Sequence, residues 1–221
     1  RQRQMCIRDS GELVEIAHRH GALVVVDDAH GIGTVGPTGR GATEELPASQ
    51  RPDVLLGTAS KALGVEGGFA CVDETLATLM RNCARGYVFS SAPSPVVAAG
   101  VAAAVEYLRT DTRRVCSLQA NVAQARLLLA EADLIPPSAA HDRGPIIRIP
   151  VGPESRAVAA QEELARRGLM VGAIRYPAVA RGDAILRICL TARHTDEHIR
   201  ILVTSLREVL DLSLYTSDAA D

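Results

Sequence analysis

The sequence predicts an α/β fold in two parts, a mostly parallel sheet with crossover helices followed by a small α+β C-terminal domain. Three observations carry that expectation. Short apolar runs rich in β-branched residues (22–26, 54–57 and 67–72) read as buried strands. Stretches with helical spacing alternate with them, which implies parallel pairing through right-handed crossovers. After Thr110 the order becomes helix, strand, helix, strand, strand, helix, which suits helices on one face of an antiparallel sheet.

The first helix is expected over residues 12–20, where Leu13, Ile16 and Ala17 have helical spacing and Gly21 supplies a stop. Residues 22–26 are continuously apolar and suit a strand covered on both faces. Residues 54–57 make a second short buried strand and 67–72 a third. Asp73 is placed to cap a helix over 74–84. Residues 87–89 are strand-like, and 95–109 form an apolar helix rich in alanine. In the second part, a long amphipathic helix spans 115–132 and the chain breaks at Ile135-Pro136-Pro137. A strand over 145–151, a helix over 155–167, strands over 169–174 and 184–191, and a closing helix over 196–210 complete it. The large domain is thus expected over 11–110 and the small one over 111–213.

A chain of 221 residues can bury a substantial core as one large domain or two small ones. Apolar residues make up 47% and aromatic residues 3%, with no tryptophan, so packing must rest on Ala, Val and Leu. A formal charge of −2 leaves no basic footprint for nucleic acid. No apolar run has the length of a membrane span, and no charged-then-apolar leader suggests secretion. Cys6, Cys71, Cys83, Cys116 and Cys189 are odd in number and widely spaced, fitting neither a CxxC metal site nor a disulfide framework. The expectation is a reduced cytoplasmic protein with no metal, no nucleic acid and no membrane partner. Residues 1–10 (RQRQMCIRDS) lack usable periodicity and 214–221 (LYTSDAAD) trail off after a helix. Both are expected to be foreign to the fold, like translated adapter remnants, with ordinary frayed termini as the competing reading.

Two motifs concentrate the chemistry. Val24-Val25-Val26-Asp27-Asp28-Ala29-His30-Gly31 brings an acid and an imidazole to the end of a buried strand, where open α/β sheets bind ligands. A carboxylate there needs a cation or hydrogen bonds. Asp27 suits a protonated ring nitrogen, and a turn-capping carboxylate is the other reading, preferred for Asp28. The next strand delivers Gly57-Thr58-Ala59-Ser60-Lys61-Ala62-Leu63-Gly64. Its small residues leave room for a cofactor beside Lys61, although an isolated lysine is elsewhere a solvated surface charge. Thr58 and Ser60 could donate to a phosphate. A lysine for a Schiff base, an aspartate for a pyridine nitrogen and hydroxyls for a phosphate are what pyridoxal 5'-phosphate (PLP) requires.

Further candidates are less specific. Ser90, Ser91 and Ser94 precede the helix at 95–109, whose N-terminus favours anions; a plain cap by Ser94 is the alternative. Arg175 and Arg187 each end or interrupt an apolar strand and need an anion, either a substrate carboxylate or a structural partner. Gly31-Ile32-Gly33-Thr34-Val35-Gly36 matches GxGxxG in letters, but Pro37, Gly39 and Gly41 forbid the helix a dinucleotide site needs. A backbone passing close to a ligand or partner subunit fits this loop better.

In this order and spacing, DDAHGIGTVGPTGRG, GTASKALG, YVFSSAPSP, AIRYP and ILRICLTARH resemble the α-oxoamine synthases. These are PLP enzymes of the aspartate-aminotransferase fold type (fold type I), and the likeness is nearest their 8-amino-7-oxononanoate synthase branch, over residues 11 to about 212. The resemblance implies part of the large PLP-binding domain followed by the small domain. It implies catalytic roles for Lys61 as the Schiff-base lysine that also takes the α-proton, Asp27 on the pyridine nitrogen and His30 on the phenolic oxygen. Thr58 would bind the phosphate, and Ser91 with Ser90 the phosphate of the neighbouring subunit's cofactor. Arg187 would hold the amino-acid carboxylate, with Arg175 a second substrate contact. A homodimer with shared active sites is implied, as is decarboxylative condensation of L-alanine with pimeloyl-CoA or pimeloyl-carrier protein in biotin synthesis. Glycine C-acetyltransferase and a non-catalytic subunit of the same fold are the alternatives. The family's N-terminal portion has no counterpart here, Arg175-Tyr176-Pro177 replaces the commoner Arg-Pro-Pro, and Ser60 stands where glycine is frequent. The chain is therefore expected to be a fragment that binds PLP weakly or not at all by itself.

Overall fold

The computed structural model describes the backbone of residues 7–217 and the side chains of residues 11–211. The chain divides between Val115 and Cys116 into two compact units. The first contains α1 (Ile7–Arg19), β1 (Val25–Asp27), β2 (Val54–Thr58), β3 (Gly68–Cys71), α2 (Glu74–Cys83), α3 (Arg85–Val88) and α4 (Pro95–Thr110). Helix α5 (Arg113–Glu131) crosses the boundary. The second unit continues with β4 (Ile146–Gly152), α6 (Glu154–Arg166), β5 (Gly172–Ile174), β6 (Ala184–Cys189) and α7 (Asp196–Ser217).

The first sheet has the order β1-β2-β3. β1 and β2 are parallel, with Val25 opposite Val54, Val26 opposite Leu55 and Asp27 opposite Leu56. β2 and β3 are antiparallel, so the sheet is mixed rather than mostly parallel. The segment joining β2 to β3 holds no helix to carry the chain back, and a direct return reverses strand direction. The expectation that residues 22–26 are covered on both faces is also corrected. β1 is an edge strand, and Val25 is 59% exposed.

Residues 87–89 are not a strand. Tyr87 N and Val88 N donate to Ala84 O, and Phe89 N to Arg85 O, so local helical bonds satisfy a backbone that has no strand beside it. Helix α1 stops where Gly21 takes φ +67° and its N–H reaches His18 O. Asp53 ties that end to the sheet, accepting from Val24 N at 2.7 Å and contacting His18 Nε2 at 3.0 Å. Asp73 caps α2 through Leu76 N at 2.7 Å, as its position predicts.

In the second unit the order is β4-β6-β5, antiparallel throughout. Ile147, Ile149, Leu186 and Ile188 point into the core while Arg148 and Arg187 take the opposite face. Leu129 of α5, Leu164 of α6 and Leu206 of α7 complete that core. The strand expected over 169–174 starts only at Gly172. Gly168 takes φ +81° and Leu169 N bonds Leu164 O, so the turn that closes α6 uses the first residues.

The segments expected to be foreign lie partly within the described residues. α1 begins at Ile7 and α7 extends to Ser217, while residues 1–6 and 218–221 lie outside the described residues.

Candidate active site

The parallel register of β1 and β2 brings two chain segments to the same end of the first sheet, the carboxyl ends of its two parallel strands. Asp27 ends β1 opposite Leu56, Asp28 N continues the pairing to Leu56 O at 2.9 Å, and His30 follows in the turn. Thr58 ends β2, and Lys61 lies in the loop just beyond it. Asp27, His30 and Lys61 are exposed. One Asp27 carboxylate oxygen accepts Ala29 N at 3.0 Å, which caps the turn, and the other has no hydrogen bond among the described residues. Lys61 Nζ has neither ion pair nor hydrogen bond among them. Beyond it, Gly64 (φ +67°) and Gly67 (φ +112°) leave space in which a Cβ would meet nothing within 4 Å.

Lys61 is the only lysine of the 221 residues, beside 23 arginines. A chain whose other Lys/Arg positions are all arginine keeps a primary amine just beyond this strand end. A guanidinium supplies charge equally well but stays protonated and cannot form an imine.

The Thr58 hydroxyl already has local partners. It donates to Gly67 O at 3.1 Å, accepts from Ser60 N at 3.3 Å and lies 2.8 Å from Ser60 Oγ. The result is a compact pair of hydroxyls at the end of β2, before the lysine.

The glycine-rich segment after His30 folds as turns with one bridge between Ile32 and Arg40 and no helix. Two carboxylates organise it. Asp28 is buried, accepts Ala42 N at 2.8 Å, and lies where a side chain at either Gly31 or Gly41 would overlap it. Burial raises its pKa, opposed by the Ala42 and Gly31 N–H groups and reinforced by the Asp27 charge. Glu44 accepts from Thr38 N, Thr38 Oγ1 and Arg40 N. Partial burial pushes its carboxyl up, but the bonds from Thr38 and Arg40 outweigh it and hold the pKa below the ordinary value. The loop so formed packs on the lysine turn, because a side chain at Gly33 would overlap Ala62 Cβ.

Ser90 and Ser91 are exposed between α3 and α4, and no side-chain hydrogen bond among the described residues links them to Asp27, His30 or Lys61. Ser94 caps α4 through Val97 N at 3.3 Å. In the second unit, Arg187 sits in the middle of β6 on the solvent face, and Arg175 follows the last residue of β5, exposed and outside the ladder. The residue directly opposite Arg187 is Arg148 of β4, which sequence reading passed over. Its signal was an arginine at an outward position of an alternating strand, whose partner is unknown until register is known.

The sequence profile described as aminotransferase class I and II matches residues 8–206. A biotin biosynthesis bifunctional protein BioWF of Cutibacterium acnes is 98% identical over 209 residues, 95% of this chain and 32% of that protein. A putative 8-amino-7-oxononanoate synthase of Desulfovibrio desulfuricans is 41% identical over 200 residues, 90% of this chain and 51% of its own length. A solved structure of SPT with a PLP internal aldimine superposes with a TM-score of 0.82 at 27% identity, covering 91% of this chain and 50% of that one. The chain thus spans about a third to a half of the length of these relatives. With the profile matched over most of its residues, the chain belongs to the aminotransferase class I and II family.

Proposed function

We propose that this chain forms part of a PLP-dependent acyltransferase that condenses L-alanine with a pimeloyl thioester. Thiol and carbon dioxide leave, and 8-amino-7-oxononanoate for biotin synthesis is formed. The observation that carries this reading is the parallel β1–β2 register, by which Asp27 and the only lysine, Lys61, follow strand ends on the same side of the sheet. The names of the relatives from C. acnes and D. desulfuricans support the substrate assignment, and the PLP held by SPT supports the cofactor.

The residues present fit PLP. They offer an amine and a carboxylate oxygen with no hydrogen bond among the described residues, paired hydroxyls, and open space at Gly64 and Gly67. Asp27 would hold a protonated ring nitrogen, His30 the phenolic oxygen, and Thr58 the phosphate, with Ser90 and Ser91 serving the phosphate of a second subunit's site. The bound cofactor supplies an electron sink for the carbanion at the amino acid's α-carbon. Lys61 would hold the cofactor through Nζ and would take the amino acid's α-proton at that atom. Arg187 orients the amino-acid carboxylate with its planar fork, and Arg175 is a second substrate contact.

A homodimer with shared sites belongs to this reading. Phe89 and Val96, 80% and 81% exposed, flank the two serines with apolar surface that a second subunit would cover. A cytoplasmic setting belongs to it too; among the described residues no helix is long and apolar enough to cross a membrane.

The test uses a polypeptide carrying this sequence at the full length of its relatives. With PLP present, borohydride should fix a cofactor-sized mass on the peptide containing Lys61. L-Alanine with a pimeloyl thioester should give the expected product, and glycine with an acetyl thioester far less. A trapped adduct elsewhere, or none, would overturn the reading.

A further inference from the structure

The open face of the second unit's sheet holds an arrangement that its own residues do not balance. Arg148 and Arg187 are direct partners in the antiparallel β4–β6 ladder. Both side chains therefore leave the same face, with Cβ atoms about 4.5–5.5 Å apart. Like charges placed opposite each other destabilise a sheet. Neither guanidinium has an ion pair or hydrogen bond among the described residues.

Several other arginines of the chain are matched. Arg113 pairs with Asp111, Arg109 with Glu106, and Arg167 with Glu163 and Glu208. Buried Arg126 is held by the carbonyls of Ala139, Gly144 and Ile146 and lies 3.6 Å from Asp142. No acid shares the ladder face with Arg148 and Arg187. Their neighbours there by register and alternation are Ile146, Pro150, Ile185, Cys189 and Ile174. On the third strand Gly172 stands opposite Arg187, and a Cβ there would meet nothing closer than Arg187 O at 3.9 Å. The strand beside the guanidinium thus presents a notch instead of a side chain.

We propose that Arg148 and Arg187 together form a receptor for one carboxylate group of a substrate, Arg148 being its second arm. Two planar forks side by side offer parallel N–H donors to both oxygens, and the anion removes the repulsion between the strands. The inference rests on the function proposed above, which supplies two carboxylates: that of the amino acid and that at the far end of a dicarboxylic acyl chain.

The experiment separates the two sources and separates this inference from the function it rests on. In the full-length, PLP-loaded polypeptide, Arg148→Gln should raise KM for either L-alanine or the pimeloyl thioester by about tenfold or more, with kcat nearly unchanged. The substrate affected identifies the source. Arg148→Lys should not restore it, because an ammonium lacks the fork. Without PLP, the same polypeptide should bind free L-alanine or free pimelate by calorimetry, with a parallel loss in the Gln variant. The ligand-free Gln variant should melt no lower than the parent. Unchanged KM values and unchanged binding would overturn the proposal. So would a lowered melting point with kcat and KM failing together, since that marks a structural arginine. If neither substrate turns over, the function has failed, and the cofactor-free binding arm still decides the receptor.

Discussion

Asp27 and Asp28 are chain neighbours in opposite surroundings, and the contrast sorts their roles. Asp27 is exposed with an oxygen open, whereas Asp28 is buried under the glycine loop and bonded to Ala42 N. Burial, more than the nearby Asp27 charge, raises the Asp28 pKa against the pull of its N–H donors. The native state then keeps a proton that the unfolded chain releases, so this residue's contribution to stability falls as pH rises upward from about 3.8 through the native value. Asp28→Asn retains an oxygen for Ala42 N and removes the buried charge. Its unfolding free energy near neutral pH should be unchanged or higher by up to about 1 kcal/mol, and the pH slope should flatten. Asp28→Ala leaves the Ala42 N–H without its acceptor and should cost about 1–3 kcal/mol. Urea titrations across the acid-to-neutral range would check both. Lys61 gives the opposite expectation. Exposed and with no partner among the described residues, it should tolerate Lys61→Arg within about 0.5 kcal/mol in the same titration, while the borohydride adduct disappears.

The elements that deliver the site were readable because each is announced locally. A run such as Val54-Leu55-Leu56 followed by small residues around Lys61 states strand, end and loop within a dozen positions. What was not readable depends on a partner distant in sequence. Nothing local distinguishes an antiparallel β3 from a parallel one, assigns Tyr87-Val88 to a helical turn, or places Arg148 opposite Arg187. The glycine loop lies between these cases. Its prolines and glycines exclude a dinucleotide helix, but its contact with the lysine turn emerges only from the fold. That contact makes a prediction. Gly21 and Gly33 both take positive φ, at +67° and +78°, but only Gly33 faces a side chain, Ala62. Gly21→Ala should cost about 1 kcal/mol for its backbone conformation alone. Gly33→Ala should cost a further 1–3 kcal/mol or so for overpacking, and adding Ala62→Gly should recover that excess. Thermal melts of the three variants would show whether the loop supports the lysine turn; equal losses for Gly21 and Gly33, with no rescue, would show that it does not.

Across the whole molecule, apolar burial is uneven, and local stability should follow it. The continuous core runs from Leu118 to Leu210 and lies entirely beyond Val115, drawing on α5, β4, α6, β6 and α7. In the first unit α2, α3 and α4 have no fully buried residue, and several of their apolar side chains, Leu79, Tyr87 and Val96 among them, face solvent, as does Phe89 just after α3. Helices are held chiefly by the packing of an apolar face, not by propensity, so α2–α4 lack the main term that resists opening. Exchange of their amides with deuterated water should be fast, governed by local fraying. Amides of β4, β6 and α7 should exchange only through opening of the second unit's core. Leu206→Ala, at a fully buried position, should cost about 2–5 kcal/mol and speed exchange across residues 116–211 while leaving α2–α4 unchanged. Hydrogen-exchange mass spectrometry on the 221-residue chain resolves these segments. Protection of α4 equal to that of β6, or loss of α2–α4 protection in the Leu206 variant, would mean that a shared core holds the halves together and that burial within each unit does not set its stability.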